Sequence, residues 1–131
     1  MAYLLGSNAV IALLNAPRSN LARRVRQSNP ADIAMSAIAL HELFYGAFKG
    51  ERTAQNLAVL DALQFEVVEF DREDARLAGE VRASLAGKGT PIGPYDVLIA
   101  GQALSRDMVL VTRNVREFGR VPSLRVEDWQ S

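Results

Sequence analysis

Two acidic side chains in this 131-residue chain sit where a carboxylate can do chemistry. Asp96 lies in Gly93-Pro94-Tyr95-Asp96. Pro94 is placed to open a helix, so the carboxylate falls in the first helical turn. The positive end of a helix favours the ionised form. An ionised carboxylate presents the hard oxygen that Mg²⁺ or Mn²⁺ prefers, although the same placement also serves as a plain complement to the helix dipole. Glu42 lies in His41-Glu42-Leu43-Phe44-Tyr45-Gly46, beside core-type residues, and reads either as a ligand or as the polar side of a buried helix. His41 is the only histidine and sits about 100° around the helix from Glu42. With no second histidine, a His-based zinc site is excluded. Ser7-Asn8 and Thr112-Arg113-Asn114 bring hydroxyl and amide groups to strand ends. There they can orient water or other ligands, or simply cap helices and shape turns. No Ser-His-Asp order is present. Gly87, Gly89 and Gly93 follow a helix rather than a strand, so they read as a loop and not a phosphate cradle.

Composition narrows the classes. The length fits one domain spanning 1–131, and 49% apolar residues suffice for a core. There are 15 basic and 15 acidic residues, a formal net charge of zero, which argues against a protein that coats nucleic acid through bulk charge. The zero conceals segregation. Arg18, Arg23, Arg24 and Arg26 stand in the first thirty residues without an acid, whereas residues 61–80 hold seven acids and two arginines. All but two of the cations are arginine, whose planar fork suits phosphate. The absence of cysteine removes disulfides, thiolate metal sites and thiol nucleophiles, and fits a reducing cytoplasm. The longest apolar run, Ala9 to Leu14, is too short to cross a bilayer, and no signal-like segment opens the chain.

The elements that must position these residues alternate. Short strands are predicted at Tyr3–Leu5, Ile33–Met35, Glu66–Phe70, Met108–Val111 and Leu124–Val126. Helices are predicted over Ala9–Leu14, Pro17–Ser28, Ile38–Lys49, Thr53–Leu63, the stretch after Asp71 to Ala86, and Pro94–Arg106. Such alternation gives an α/β fold, a central parallel sheet of four to five strands with helices on both faces. Ser7-Asn8, Ser36 and Thr112-Arg113-Asn114 all follow strands, and open sheets of this kind bind ligands at that carboxyl edge.

Together these segments resemble the PIN domain family, specifically VapC-type toxins of toxin–antitoxin systems. The resemblance rests on Leu4-Leu5-Gly6-Ser7-Asn8, Glu42-Leu43 with Tyr45-Gly46, Gly89 to Asp96 with Leu98-Ile99-Ala100, Val111-Thr112-Arg113-Asn114 with Arg116-Glu117-Phe118, and Arg125-Val126-Glu127-Asp128-Trp129. It covers nearly the whole chain. It implies a metal-dependent endoribonuclease whose acids hold Mg²⁺ or Mn²⁺. Glu42 and Asp96 match metal-site acids, Asn114 a position that is Asp or Asn in the family, and Ser7 and Asn8 the groups after the first acid. It further implies RNA substrates such as transfer RNA, a homodimer, and a cognate VapB-type antitoxin that inserts a tail near the acids. Operator DNA is reached only through that antitoxin, and no membrane is involved. The arginines Arg18, Arg23, Arg24, Arg26 and Arg113 are the candidates for RNA contact, Thr112 supports the metal site, and the helix Thr53–Leu63 is a candidate interface.

One position departs from the family. Where an Asp directly follows the first strand, this chain has Gly6. Glycine supplies no ligand, leaving Glu42 and Asp96 as the matched acids. The sequence therefore predicts an attenuated nuclease, or alternatively an inactive PIN-fold partner acting through antitoxin binding and operator repression. A receiver-like phosphoacceptor, a third option, needs clustered acids at the first strand end and a late lysine. Gly6, and the lack of lysine after Lys88, argue against it.

Overall fold

The structure, a computed structural model, describes residues 2–130. Its centre is a five-stranded, all-parallel sheet: β1 (Tyr3–Leu5), β2 (Ile33–Ser36), β3 (Glu66–Val68), β4 (Val109–Val111) and β5 (Val126–Glu127), in the order β3-β2-β1-β4-β5. Tyr3 pairs in register with Ile33 on one side and Val109 on the other. The three central strands are short, mostly apolar runs because both faces are covered. Leu4, Ala34, Val68 and Leu110 face one way, onto α5 (Arg72–Gly87) and α6 (Pro94–Ser105). Leu5, Ile33, Met35 and Val111 face the other way, onto α1 (Ser7–Asn15), α2 (Asn20–Gln27), α3 (Ala37–Lys49) and α4 (Thr53–Asp61). The two-residue period of each strand thus feeds two cores.

Polar clasps fix the layers. Asp71 and Asp74 form a reciprocal capping box at the start of α5. Burial alone would push the Asp74 carboxyl up. The Ser105 hydroxyl, the Asp71 amide and the Arg106 guanidinium instead hold it below its ordinary range. In the same layer, Gln102 donates to the carbonyls of Val68 (3.1 Å) and Glu69 (3.2 Å) and accepts from Ser36, tying α6 to the ends of β2 and β3. Near Gly101, α5 and α6 approach so closely that a β-carbon would lie 2.6 Å from Ala78 Cβ. On the opposite face the C-terminus is clasped. Arg24 pairs with Glu127 at 3.0 Å and lies 4.6 Å over the Trp129 ring, whose Nε1 also donates to Glu127.

Several predicted boundaries shift. The second helix starts at Asn20 rather than Pro17, because Ser19 caps it by accepting from the Ala22 amide at 3.2 Å while Pro17 and Arg18 form a turn. The third strand ends at Val68 and not Phe70, where the Val68 and Glu69 carbonyls turn to Gln102. The last strand is Val126–Glu127 instead of Leu124–Val126. Helix α5 runs on through Gly87. A short helix, α7 (Val115–Phe118), was not predicted.

Candidate metal centre

The strand order reverses at β1. The chain steps from β1 outward to β2 and β3, then returns to place β4 on the other side of β1. A crevice opens beyond the carboxyl ends of strands at such a switch point. Here it is lined by Gly6, Ser7 and Asn8 after β1, Thr112 and Asn114 after β4, and Asp96 from α6. Three separate sequence signals, Ser7-Asn8, Thr112 with Asn114, and Asp96, are thus brought to one place by topology. Glu42 reaches it from α3, where the Ser7 hydroxyl donates to its Oε1 across a long 3.5 Å. Thr112 Oγ1 accepts from the Asn114 amide at 3.1 Å, shaping the turn out of β4.

Sequence reasoning missed one member. Glu117, in α7, places both carboxylate oxygens in the site: Oε1 accepts from the Gly93 amide and Oε2 from Asn114 Nδ2, each at 2.7 Å. Asn114 therefore acts on Glu117, holding it in place. A signal was present in the Asn114-x-x-Glu117 spacing, the pattern of a helix start with an acid at its third position. The two acids crowd one spot beside Gly93. A β-carbon at Gly93 would stand 3.0 Å from Asp96 Oδ2 and 3.6 Å from Glu117 Oε1.

This crowding corrects the simple dipole expectation for Asp96. Burial, with the charges of Glu117 and Glu42 close by, pushes its carboxyl up to about 6 despite its place in the first turn of α6. Glu117 moves the other way, held below its ordinary range by the Gly93 amide and the Asn114 side chain. Two neighbouring carboxylates pushed apart in this manner form a site that gains from a cation or a proton.

The oxygen groups here, three carboxylates among neutral hydroxyls and amides, suit a hard cation. Among the described residues no three acidic or histidine side chains are arranged to hold an ion by themselves. Mg²⁺ is commonly held by one or two carboxylates while keeping several waters, and Asp96, Glu117 and Glu42 fit that lighter demand. Gly6 lines the crevice without a side chain. Its backbone is extended, at φ −79° and ψ 172°, a conformation open to any residue, and a β-carbon there would meet only Val111 O, at 3.8 Å. Nothing in the fold requires glycine at this position.

The basic candidates are dispersed. Arg113 is exposed beside Thr112 at the rim of the crevice. Arg18 and Arg23 are exposed around α2, where Arg26 donates to the Pro17 carbonyl at 2.8 Å. Arg24 is engaged in the Glu127–Trp129 clasp, so its part in holding the fold is explicit.

Residues 3–124 match the PIN domain. The chain is 42% identical over 129 residues, 97% of each chain, to the tRNA(fMet)-specific endonuclease VapC of Salmonella typhimurium. It is 36% identical over 132 residues, 98% of each chain, to ribonuclease VapC2 of Rickettsia felis. Among solved structures, the DNA-bound VapBC of Salmonella typhimurium superposes with a TM-score of 0.93 at 41% identity, over 98% of each chain. VapBC-1 of nontypeable Haemophilus influenzae gives 0.92 at 34% identity over the full length of both.

Proposed function

The chain belongs to the PIN domain family, among its VapC ribonucleases, and from that premise we propose that it is the toxin of a VapBC-type pair, a metal-dependent endoribonuclease acting on structured RNA such as transfer RNA, attenuated by Gly6. The observation that carries this reading is the convergence of Asp96, Glu117 and Glu42 at the sheet's switch point. One or two of these carboxylates, with waters, would hold the Mg²⁺ or Mn²⁺, with Ser7, Asn8, Thr112 and Asn114 around them. When bound, such an ion supplies charge neutralisation at a phosphoryl group and activation of water.

The chain's own residues do the positioning. The Gly93 amide and Asn114 fix Glu117, so its charge is aimed before any ligand arrives. Asp96 holds a proton below about pH 6, so cation binding competes with protons there. Arg113 at the rim, with Arg18 and Arg23 further out and Arg26 beside them, offers guanidinium groups to the RNA backbone.

The partners follow from the premise and from one groove. Ile11, Leu14, Leu43, Ala47, Val59 and Leu60 line a mostly apolar groove between α1, α3 and α4, with Glu42 also on its wall. A VapB-type antitoxin can lay an apolar segment there and bring a basic side chain to Glu42. Operator DNA is reached only through that antitoxin, and the protein works as a homodimer within the hetero-oligomer. No helix among the described residues is long and apolar enough to cross a membrane, and we place the protein in the cytoplasm.

The test is cleavage of transfer RNA by the purified chain and its Gly6→Asp variant, with Mg²⁺, Mn²⁺ or EDTA. Defined fragments that require metal and form faster with Gly6→Asp support the reading. If neither form cuts, the second reading stands, an inactive PIN-fold partner acting through its antitoxin and operator repression. Gly6 is the observation that favours that second reading.

A further inference from the structure

Each acid shared between α3 and α6 has an aromatic chain neighbour: His41 precedes Glu42 and Tyr95 precedes Asp96. Their rings meet across the two helices with centroids 5.6 Å apart and planes tilted by 59°. One turn along α3, Tyr45 adds a second ring, and a further turn on Lys49 Nζ lies 5.7 Å from that ring's centroid. His41, Tyr45 and Lys49 therefore form one stripe at four-residue spacing, roughly 12 Å long. With Glu42 and Tyr95, the first two line a depression of about 400 Å³. Tyr45 is 61% and Tyr95 47% exposed, although large aromatics are normally buried when they serve only packing.

Resting on the nuclease reading above, we infer that this depression is a nucleobase subsite. The base next to the cleaved phosphate stacks against Tyr95 and His41, its neighbour stacks on Tyr45, and Lys49 takes the phosphate beyond. Three observations favour RNA over a protein segment here. The stripe starts at the carboxylates and leads away from them, the path a strand must follow once one of its phosphates sits at the acids. It sets a cation, Lys49, beyond two rings, so a phosphate has a partner past the stacked bases. A separate, mostly apolar groove between α1, α3 and α4 also borders Glu42 and offers a protein segment its own place. Stacking on aromatic faces is the usual means of holding unpaired bases. It gives this nuclease a preference for loops over duplex, because only splayed bases reach the rings.

The test reads binding with EDTA present, so it does not depend on cleavage. The probe is an RNA hairpin carrying 2-aminopurine at successive loop positions, beside the same hairpin with abasic loop sites. Wild type, Tyr95→Phe and Tyr45→Phe are expected to bind alike and to quench the probe. Tyr95→Ala and Tyr45→Ala are each expected to weaken binding roughly tenfold, from the loss of one stacked base. The abasic hairpin should lose as much with wild type and no more with the alanine variants. Equal binding of the intact hairpin by wild type and both alanine variants overturns the subsite while leaving the nuclease reading in place. Retained RNA affinity with lost affinity for a VapB-type antitoxin overturns it in favour of a protein-binding surface. Failure of wild type to bind hairpin or transfer RNA at low salt removes both readings together.

Discussion

Placing a carboxylate at position 6 separates the chemistry of the site from its folding. The backbone of Gly6 is already in an extended conformation and a β-carbon has ordinary clearance, 3.8 Å to Val111 O. Gly6 is also the N-cap of α1 and makes no side-chain cap bond there. Asp at an N-cap is at least as good as Gly, and loss of glycine's freedom in the unfolded chain contributes about 0.4–1 kcal/mol. Offsetting this, a new charge near Glu42 and Asp96 adds repulsion, so without metal Gly6→Asp should fold with nearly unchanged stability. With a dication the sign changes. A unit charge about 4 Å from a doubly charged ion in water-like surroundings contributes about 2 kcal/mol, or roughly 30-fold in affinity, and less screening makes it larger. At saturating metal that difference appears as added stability, on the order of 6–10 °C in Tm for a chain this size. The assay is thermal melting across a Mg²⁺ or Mn²⁺ titration, run beside transfer RNA cleavage. A shift of the metal midpoint by roughly 30-fold or more supports the account. Equal midpoints and equal cleavage rates for the two forms would refute it, because then position 6 contributes nothing to metal binding.

Other perturbations separate the same links. Asp96→Asn should stabilise the metal-free protein at pH 8. The raised native pKa means that the folded state binds more protons than the unfolded between about 4 and about 6, so wild-type stability falls as pH rises through that window. The advantage of the variant should therefore shrink as pH falls below 6, and urea melts at pH 4, 6 and 8 would check it. Gly101→Ala should destabilise by about 3 kcal/mol or block folding, since the new methyl would stand 2.6 Å from Ala78, including its backbone nitrogen. Gly6→Ala, measured alongside in urea, should be neutral or slightly stabilising. Arg23→Glu should weaken RNA binding at low salt with Tm unchanged. Arg24→Glu should lower Tm as well, because it places a charge against Glu127 and removes the cation over Trp129.

The sheet and its layers were legible because the three central strands are short, mostly apolar runs between turn residues and every long helix carries buried apolar residues. Asp71 as a cap and Pro94 as a helix start were read correctly from local chemistry. Local chemistry misled at Pro17, where proline's fitness for a first turn was outweighed by Ser19, the better cap three residues from the first amide it binds. At the site, Asp96, Ser7, Asn8, Thr112 and Asn114 were singled out by strand-end or helix-start position and Glu42 as an acid beside core-type residues within a helix, which is one-dimensional information. Glu117 was not, since its role depends on the Gly93 amide 24 residues away. The raised pKa of Asp96 was equally invisible. Dipole reasoning treats one helix at a time, whereas the shift comes from burial and from acids on α3 and α7.

Glycine at position 6 shows how structure decides what sequence leaves open. A glycine just after a strand is ordinarily read as a backbone requirement, and Gly101 shows what a true requirement looks like, with no room for a methyl. Gly6 has room and an ordinary backbone, so its lack of a side chain cannot be assigned to folding. What it removes is one negative charge from the crevice where Asp96, Glu42 and Glu117 already repel one another. The same loss that weakens a dication's hold also lowers the strain of the empty site. Because the cap and chain-entropy gains of an Asp offset that strain, a chain with Gly6 is expected to differ only in gaining less from metal, in stability and in chemistry alike. That combination distinguishes a disarmed nuclease from a merely unstable one: its metal-free Tm should match that of Gly6→Asp, and the two should part only as metal is added.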